Sequence, residues 1–453
     1  VITIWDQAPA DGIGGTALIV ERAIADGVPV ILVDPAKPGT PSILWRKDTV
    51  LPAARAGVES LARRPLEGSL GDVVSLILAP PADPTQRNAL KMLYAEREHN
   101  WNIGISYPVL LFVLGLRPLR WSDLRTPTRK PDAAKRWRDY LLGHLNDEAL
   151  RPLDTDTLFN AYSFLDHLSV RYAQIYRSAY VFNFAASAFA VLLALLGVLM
   201  SLEIKAWLVA CEIAIILSIL LVLRAGGKRQ WHRRWLEYRR LAETLRHIRL
   251  LAPTASAARL ERPGNRAGRV YGWVSWYARA VEREVPIPNI AANEDYLAAI
   301  RDAVRDAEIS GQISYNLRNA HVMHEAGERL HIAGTVLFGA TLVICVAFLI
   351  VYIMDPHHEI AEKTREWAVF LTALLPALGA AISGIRAQAD FQTVADRSSE
   401  TARNLIALDK ALADEKLQFA LLSDRIEKVV DVLMADNTEW HVMFSTRPLS
   451  LPA

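Results

Sequence analysis

The hydrophobic pattern of the chain is dominated by two pairs of long apolar runs. The first pair occupies residues 179–202 and 206–223, which are separated by a short polar break. The second pair occupies residues 332–354 and 367–385 and flanks a polar loop. Each run approaches the ~20 residues that a helix needs to cross ~30 Å of hydrocarbon. The pattern therefore predicts two membrane-spanning hairpins rather than core helices of a soluble protein, which usually carry a polar stripe.

Lysine and arginine set the predicted orientation of these spans. Basic residues precede the first span and follow the second and fourth, whereas both hairpin loops carry little positive excess. Because cytoplasmic flanks are enriched in Lys and Arg, both termini are predicted to be cytoplasmic and both short loops external. Aromatic residues at the span ends are predicted to lie at the interfaces, with Trp207, Tyr352 and Trp367 outside and Tyr180 inside.

The composition of the 453-residue chain bounds the partners that it can bind. Its net charge of +2 is small, and its basic excess is concentrated beside the apolar runs. This placement favours a lipid bilayer with anionic headgroups and argues against nucleic acid as a partner. The two cysteines, Cys211 and Cys345, fall inside predicted spans, which indicates neither a disulfide framework nor a zinc site.

The N-terminal residues have a different pattern, that of a β–loop–α–β unit. Residues 1–6 are an apolar strand, and a loop rich in Gly and Pro follows. Residues 16–26 have helical periodicity, and residues 29–34 form a second apolar strand. Two strands joined by a helix predict a parallel sheet. Residues 35–56 are rich in proline and are predicted to be irregular.

The junction between the first strand and the helix carries candidate chemistry. Gly14 and Gly15 let the backbone approach an anion, the first helical N–H groups point towards it, and Thr16 adds a hydroxyl group. Asp34 has the position of the acid that often binds a ribose hydroxyl in such folds. The alternative is structural: the glycines make a tight turn and Thr16 caps the helix.

The same stretch resembles the second half of a SLOG domain, a Rossmann-like family related to LOG and DprA proteins. The family pattern W-D-x-x-P-x-x-G-x-G-G-T, then a helix and a V-P-V-x-x-x-D strand, is matched at Trp5, Asp6, Pro9, Gly12, Gly14, Gly15, Thr16, Val28, Pro29, Val30 and Asp34. The resemblance covers roughly residues 1–80 and implies a nucleotide or NAD-derived signal as ligand, with no resident cofactor. It implies ligand contacts from Asp6, Gly12, Gly14, Gly15, Thr16 and Asp34. It also implies that the first part of the domain, with a further phosphate-contacting loop, precedes Val1.

One departure from the enzymatic LOG pattern is informative. Enzymatic members have P-G-G-x-G-T-x-x-E, in which the glutamate is needed to cleave an N-glycosidic bond. Here Ile19 stands three residues after Thr16, and the nearest acid is Glu21. The departure favours ligand binding over hydrolysis.

The regions around the apolar runs resemble SLATT proteins, bacterial two-helix membrane effectors found beside or fused to SLOG domains. A stalk pattern W-x-x-x-R-x-x-A-E-x-x-R is matched at Trp235, Arg239, Ala242, Glu243 and Arg246. The resemblance covers roughly residues 155–435. Both hairpins are followed by a charged helix that contains Ala and then an acid, at Ala242-Glu243 and Ala395-Asp396, which indicates a duplicated hairpin-plus-stalk unit.

These patterns predict an α/β Rossmann-like N-terminal domain, incomplete in this sequence, followed by an all-α membrane region with four transmembrane helices and long cytoplasmic helices. The predicted boundaries are a sensing domain at 1–82, a helical and Pro-rich connector at 83–153, a first hairpin with stalk at 154–260, a cytoplasmic helical insert at 261–331, a second hairpin with stalk at 332–435 and a tail at 436–453. A helix that starts near Asp154 is predicted to run unbroken into the first span.

Glu212 is the only ionisable residue well inside a predicted span. It is therefore a pore candidate, which an oligomer would arrange as a cation-attracting ring. Its position close to the outer loop equally allows it to reach the headgroups. The small residues of the fourth span, among them Gly379 and Gly384, permit close helix contact within the bundle or between subunits.

Two further clusters have a functional and a structural interpretation. Trp273 and Trp276 beside Arg279 could stack a base and bind phosphate, but anchoring or packing is the simpler interpretation. The histidines before the third span, His321 and His324, are interpreted as part of a solvated or interfacial face rather than a metal site.

The resemblances imply a multi-pass protein of the bacterial inner membrane, working as a homo-oligomer. A nucleotide or NAD-derived signal bound to the SLOG-like domain would gate a pore or perturb the membrane in antiphage defence, without catalytic residues. Two alternatives stay open. One is a membrane-tethered nucleotide-processing enzyme of the LOG type, a phosphoribohydrolase that uses Glu21. The other is a structural or transport membrane protein with a vestigial sensor domain.

Overall fold

The computed structural model describes residues 1–6, 15–25, 28–45, 63–97, 104–125, 156–257, 272–285, 288, 291–355, 357 and 359–451. The chain forms two compact units. The N-terminal unit comprises Val1–Arg97 and Thr244–Pro288, and the membrane unit comprises Glu98–Glu243 and Asn289–Ala453. Most of the described chain is helical.

The N-terminal unit contains a four-stranded sheet in the order β1-β2-β3-β4. Its elements are β1 (Ile2–Ile4), α1 (Thr16–Ala25), β2 (Val30–Asp34), β3 (Lys37–Leu44), β4 (Arg64–Pro65), α2 (Leu66–Leu78), α3 (Pro84–Tyr94) and α8 (Trp273–Glu282). Strands β1 and β2 are parallel, with Ile4 opposite Val33. Helix α1 packs on this pair through Val20, Ala23 and Ile24, which form a buried cluster with residues of β2 and β3.

The parallel pairing predicted for the sheet holds only for β1 and β2. Strand β3 is antiparallel to β2, and β4 is antiparallel to β3, so the described sheet is mixed. The prediction that residues 35–56 are irregular is wrong for Lys37–Leu44, which form β3. The cause is a tight turn after Asp34, whose carboxylate accepts a hydrogen bond from the Ala36 N–H at 2.8 Å. A turn this short can only return the chain antiparallel, because parallel pairing needs a crossover of about a dozen residues.

The membrane unit is built from helices. They are α4 (Ser106–Val113), α5 (Asp156–Leu199), α6 (Leu202–Lys228), α7 (Trp231–Leu251, which belongs to this unit up to Glu243), α9 (Glu294–Asp302), α10 (Ser310–Met354), α11 (Glu359–Ala389), α12 (Phe391–Asp414) and α13 (Phe419–Ser445). A π-helical segment, Ala303–Ile309, joins α9 to α10.

Four helices of the chain are long and apolar enough to cross a membrane, as the sequence predicts. The predicted spans lie in α5, α6, α10 and α11. Their apolar side chains are largely exposed, for example Val343 at 67% and Ile353 at 70%. An exposed apolar surface of this extent is typical of a lipid-facing region and would be unfavourable in water.

Helices α5 and α10 extend well beyond the membrane. They have 44 and 45 residues. At 1.5 Å per residue each is roughly 66 Å long, about twice the hydrocarbon thickness. The unbroken helix predicted to lead into the first span is confirmed, and α10 likewise leads unbroken into the third span.

The second helix of each hairpin ends at a residue with left-handed backbone. Gln230 has φ 52° between α6 and α7, and Asp390 has φ 48° between α11 and α12. Each half of the unit is thus a long helix, a second span, a left-handed residue and a further helix. This order agrees with the predicted duplication, but the Ala-acid pairs do not: Ala242 lies twelve residues after Gln230, whereas Ala395 lies five after Asp390.

Interface aromatics fall into two groups. Trp207, Tyr352 and Trp367 are exposed at the hairpin ends, as predicted for interfacial anchors. Tyr180 is 4% exposed and packs edge-on against Tyr176 with ring centroids 5.6 Å apart. Its ring therefore faces the bundle interior rather than lipid, and its depth at the inner interface stays a prediction.

Candidate functional site

The candidate ligand-binding residues lie around the carboxyl end of the parallel strand pair. The N–H of Trp5, directly after β1, donates to the Val33 carbonyl at 3.1 Å. Asp6 follows Trp5 and Asp34 follows Val33, so the two carboxylates leave adjacent strands at the same edge. Ligands of open α/β sheets bind at the carboxyl ends of parallel strands.

Helix α1 begins beside this edge. Its C-terminal end is joined to the start of β2, since the Val28 N–H donates to the Ala23 carbonyl at 2.8 Å. A helix that ends at the amino edge of the strands, and is roughly 15 Å long, begins near their carboxyl edge. The fold therefore brings the start of α1 to the side of the sheet that holds Asp6 and Asp34.

The first turn of α1 has the properties of an anion site. Gly15 occupies the cap position, and its carbonyl accepts the Ile19 N–H at 3.2 Å. Among the described residues, no side chain accepts a hydrogen bond from the first N–H groups, and Gly15 has no side chain with which to cap them. The Thr16 hydroxyl belongs to this turn. The predicted alternative, in which Thr16 is the cap, does not fit a helix that already begins at Thr16.

Asp34 has a structural role in addition to its predicted one. One carboxylate oxygen is occupied by the Ala36 N–H and stabilises the turn between β2 and β3. The carboxylate retains acceptor capacity for a ribose hydroxyl, because an ionised carboxyl has about four lone-pair sites. Gly12 and Gly14, the remaining predicted contacts, lie outside the described residues, and their predictions stay as such.

Glu21 is poorly placed for catalysis at this edge. It is exposed and lies five residues after Thr16, in the second turn of α1. It is therefore roughly 7.5 Å further along the helix axis and points about 140° away around it. Ile19, where enzymatic LOG proteins have glutamate, is 53% exposed. The edge supplies backbone N–H donors and a hydroxyl group, but it has no acid at the position that hydrolysis requires.

The aromatic cluster of the predicted insert belongs to the core of the N-terminal unit. Trp273 is fully buried at the start of α8, and its backbone N–H donates to Oε1 of Gln86 at 3.0 Å. The indole N–H of Trp276 donates to the Leu78 carbonyl at 3.0 Å. These contacts favour the packing interpretation over base stacking.

Glu212 lies in the first half of α6. The helix begins at Leu202, so Glu212 is roughly 15 Å along its axis and roughly 9 Å past the start of the predicted span at residue 206. Its side chain is partly exposed and has no hydrogen bond or ion pair to a described residue. A carboxylate at this depth needs a partner, water or another subunit, which supports its status as a pore candidate.

Two features of the membrane unit were missed at the sequence level. Asn183, inside the first span, is 1% exposed, and neither side-chain polar atom has a partner among the described residues. Arg177, Arg239 and Arg397 line one cavity with Asp436. Arg177 and Arg239 carried a sequence signal, but as a topology marker and a stalk residue. Their convergence depends on the packing of α5, α7 and α12 and has no sequence signature.

The membrane unit also contains a buried aromatic cluster next to these arginines. Trp235 is fully buried, stacks on Tyr176 at 4.9 Å and meets Trp440 edge-on at 4.7 Å. Nε2 of His232 donates a hydrogen bond to the Phe444 carbonyl at 2.8 Å. Burial lowers the pKa of His232, and the hydrogen bond to Phe444 opposes this in part.

Comparison of the chain with models of known protein families, with curated proteins and with solved structures gives no match.

Proposed function

We propose that the protein is a membrane effector that is gated by a nucleotide or NAD-derived signal bound at the carboxyl edge of its N-terminal sheet. The observation that carries the proposal is the presence, in one chain, of four membrane-length helices and a helix N-terminus placed behind a glycine-rich loop. The resemblance to SLOG and SLATT proteins supports the same pairing of a sensor with a membrane effector.

The ligand class follows from the groups at the edge. N–H groups that no described side chain caps, together with the Thr16 hydroxyl, favour a phosphate, because the N-terminus of a helix stabilises negative charge. Asp34 and Asp6 supply acceptors for hydroxyl groups such as those of ribose. A ligand with a phosphate and a ribose matches both halves of this arrangement.

Gating is proposed to be a shift in the populations of two arrangements of the spans. The ligand can shift this equilibrium only by as much as it binds the open arrangement more tightly than the closed one. In the proposed open state several chains assemble and Glu212 lines a cation-conducting pore. The protein is proposed to reside in the bacterial inner membrane with both termini in the cytoplasm, as a component of antiphage defence.

The test is dye release from liposomes that carry the full-length protein. A panel of cyclic nucleotides and ADP-ribose derivatives is added, and release is expected with one ligand and not with its isomers. Gly15→Val should abolish release, because the branched side chain blocks close approach of the anion to the first turn of α1. Gly39→Val is the matched control, since a side chain at Gly39 in β3 meets nothing within 4 Å.

Membrane insertion of each variant is measured by resistance to alkaline extraction. Loss of release by Gly15→Val with insertion intact, and normal release by Gly39→Val, supports the proposed site. Full release by Gly15→Val places the ligand elsewhere. Absence of release with every ligand of the panel contradicts the ligand-gated pore.

A further inference from the structure

A cavity lined by three arginines lies within the membrane unit, apart from the sheet edge discussed above. The space between its lining atoms is about 720 Å³, a figure that includes open solvent, so the cavity is partly open. Arg177 comes from α5, Arg239 from α7 and Arg397 from α12, so three separate helices place a guanidinium group at one cavity.

The described residues that line the cavity carry more positive than negative charge. Asp436 is the only acidic residue among its described lining residues. It pairs with Arg397 at 2.9 Å, and Arg397 also lies 3.6 Å from Glu439, whose side chain is 71% exposed. Burial raises the pKa of Asp436, and the nearby charges of Arg397 and Arg239 oppose this shift.

Arg177 and Arg239 have no acceptor among the described residues. The Arg177 guanidinium lies over the rings of Tyr107 and Trp235, at 5.4 and 5.5 Å from their centroids. That of Arg239 lies 4.5 Å from the centroid of Trp440, and its buried Nε has no described hydrogen-bond partner. Ring contacts hold the two groups in position but supply no acceptor oxygen, and a buried donor such as Nε of Arg239 is costly to leave unsatisfied.

The remaining polar groups of the lining also favour an acceptor-rich ligand. Asn319 donates from Nδ2 to the Ser398 hydroxyl at 2.8 Å, which leaves that hydroxyl free to donate into the cavity. A phosphate group presents several acceptor oxygens and one or two negative charges, and arginine matches its geometry through paired N–H groups. A neutral ligand would leave the positive charge uncompensated, and a cationic one would add to it.

The depth of the cavity relative to the membrane is compatible with two sources of phosphate. Arg177 lies two residues before the first predicted span, and Ala389, another lining residue, is the last residue of α11. The cavity is therefore at the level where a span leaves the hydrocarbon and phospholipid headgroups begin. Both a lipid headgroup and a soluble phosphate compound reach this level.

We propose that this cavity is a phosphate-binding site in which Arg177, Arg239 and Arg397 hold the anion of a lipid headgroup or a soluble phosphate. The site is independent of the ligand proposed for the N-terminal sheet. It would make the packing of α5, α7, α12 and α13 depend on an anion at the predicted inner surface of the membrane.

The test uses full-length protein in phosphatidylcholine nanodiscs. In one arm the affinity for inorganic pyrophosphate is measured by titration calorimetry. In the other arm the discs contain a minor fraction of phosphatidylglycerol, and native mass spectrometry counts the anionic lipids retained on the protein. Arg239→Met keeps the contact with Trp440 but removes the donors. It should lower the affinity of the protein for at least one of the two probes by about tenfold or more.

Two variants act as controls, and a double variant is a second test of the proposal. Arg233→Met makes the same substitution in α7 at an arginine that pairs with Glu237 outside the cavity, and it should retain binding. Gly15→Val removes the anion site proposed at the N-terminal edge, so the pyrophosphate binding that this variant retains is assigned to the arginine cavity. The double variant Arg397→Gln with Asp436→Asn removes a guanidinium together with its carboxylate and leaves no unpaired buried charge. It should weaken binding. If Arg239→Met does not fold, the double variant tests the proposal in its place.

The outcomes separate the sources and the alternatives. Weakened pyrophosphate binding identifies a soluble phosphate as the ligand, and loss of retained phosphatidylglycerol identifies a headgroup. If Arg239→Met and the double variant bind both probes like the unmodified protein, the proposal is wrong. It is equally wrong if pyrophosphate binding is lost only in Gly15→Val, because the anion then binds the sheet edge.

Discussion

Arg447 fastens the segment after α13 to the left-handed residue at the end of α11. Its guanidinium lies 2.6 Å from the carboxylate of Asp390 and also donates to the Ala387 carbonyl. The Arg447 carbonyl in turn accepts from Gln388 at 3.0 Å and from the Tyr176 hydroxyl. The end of the fourth span is thereby held to both α5 and the C-terminal segment.

Breaking this ion pair should destabilise the membrane unit. Both side chains are about three-quarters buried, at 27% and 22% exposure, so the pair is screened less than a surface pair. Arg447→Gln is expected to lower the free energy of unfolding by about 1–2 kcal/mol. Asp390→Asn keeps a residue that tolerates positive φ and removes the charge. Thermal unfolding in detergent of both single variants and the double variant measures the coupling; additive effects would show that the pair contributes nothing.

The contact between the first and fourth spans depends on the absence of a side chain at Gly384. A Cβ atom there would lie 2.2 Å from the ring of Phe184. Gly384→Ala is expected to cost about 1–3 kcal/mol through overpacking. Gly339→Ala, in the third span, is the control because its Cβ meets nothing within 4 Å. Phe184→Leu should restore part of the stability of Gly384→Ala, and a lack of rescue in thermal unfolding would contradict this packing.

The stability of the membrane unit should fall in mildly acidic solution through His232. Burial holds its folded-state pKa below the usual value of 6.5. Its contribution is therefore complete above the unfolded pKa and is lost as the pH falls through the folded one. The unfolding temperatures of the unmodified protein and His232→Gln, measured between pH 7.5 and 5, should converge as the pH falls. A difference that is constant with pH would assign the effect of the substitution to packing alone.

Glu212 should determine ion selectivity if the proposed pore forms. Glu212→Gln is expected to lower the permeability of cations relative to anions several-fold, because the ring of negative charge is lost. Glu203→Gln, in the first turn of α6, is the matched control and should leave the ratio unchanged. The ratio is measured from reversal potentials in planar bilayers with the activating ligand. An unchanged ratio in Glu212→Gln would exclude this residue from the conduction path.

The sequence predicted the membrane region better than the sheet. The four spans follow from uninterrupted apolar composition, which a membrane requires and which few other contexts permit. Strand β3 was missed because Pro38, Gly39 and Pro41 are turn-formers by propensity, while the exposed start of the strand tolerates them. The prediction relied on local composition, whereas the strand forms because it pairs with β2.

Part of the candidate ligand site was also accessible from the sequence. The start of α1 at Thr16 and the end of β2 at Asp34 were placed correctly because a β–loop–α–β pattern fixes both. The turn-stabilising role of Asp34 required knowledge of the antiparallel return. The arginine cavity required more: Arg177 and Arg397 are separated by more than two hundred residues, and only the packing of their helices brings them together.

The unequal continuity of the two helices in each hairpin has a mechanical consequence. Helices α5 and α10 are single rods that run from outside the bilayer to its far side, so a tilt imposed at one end displaces the other end in proportion. After α6 and α11 the chain turns at the left-handed residues Gln230 and Asp390, so neither helix continues as one rod into the helix that follows. A displacement outside the bilayer is therefore transmitted to the spans by α5 and α10, one in each half of the membrane unit.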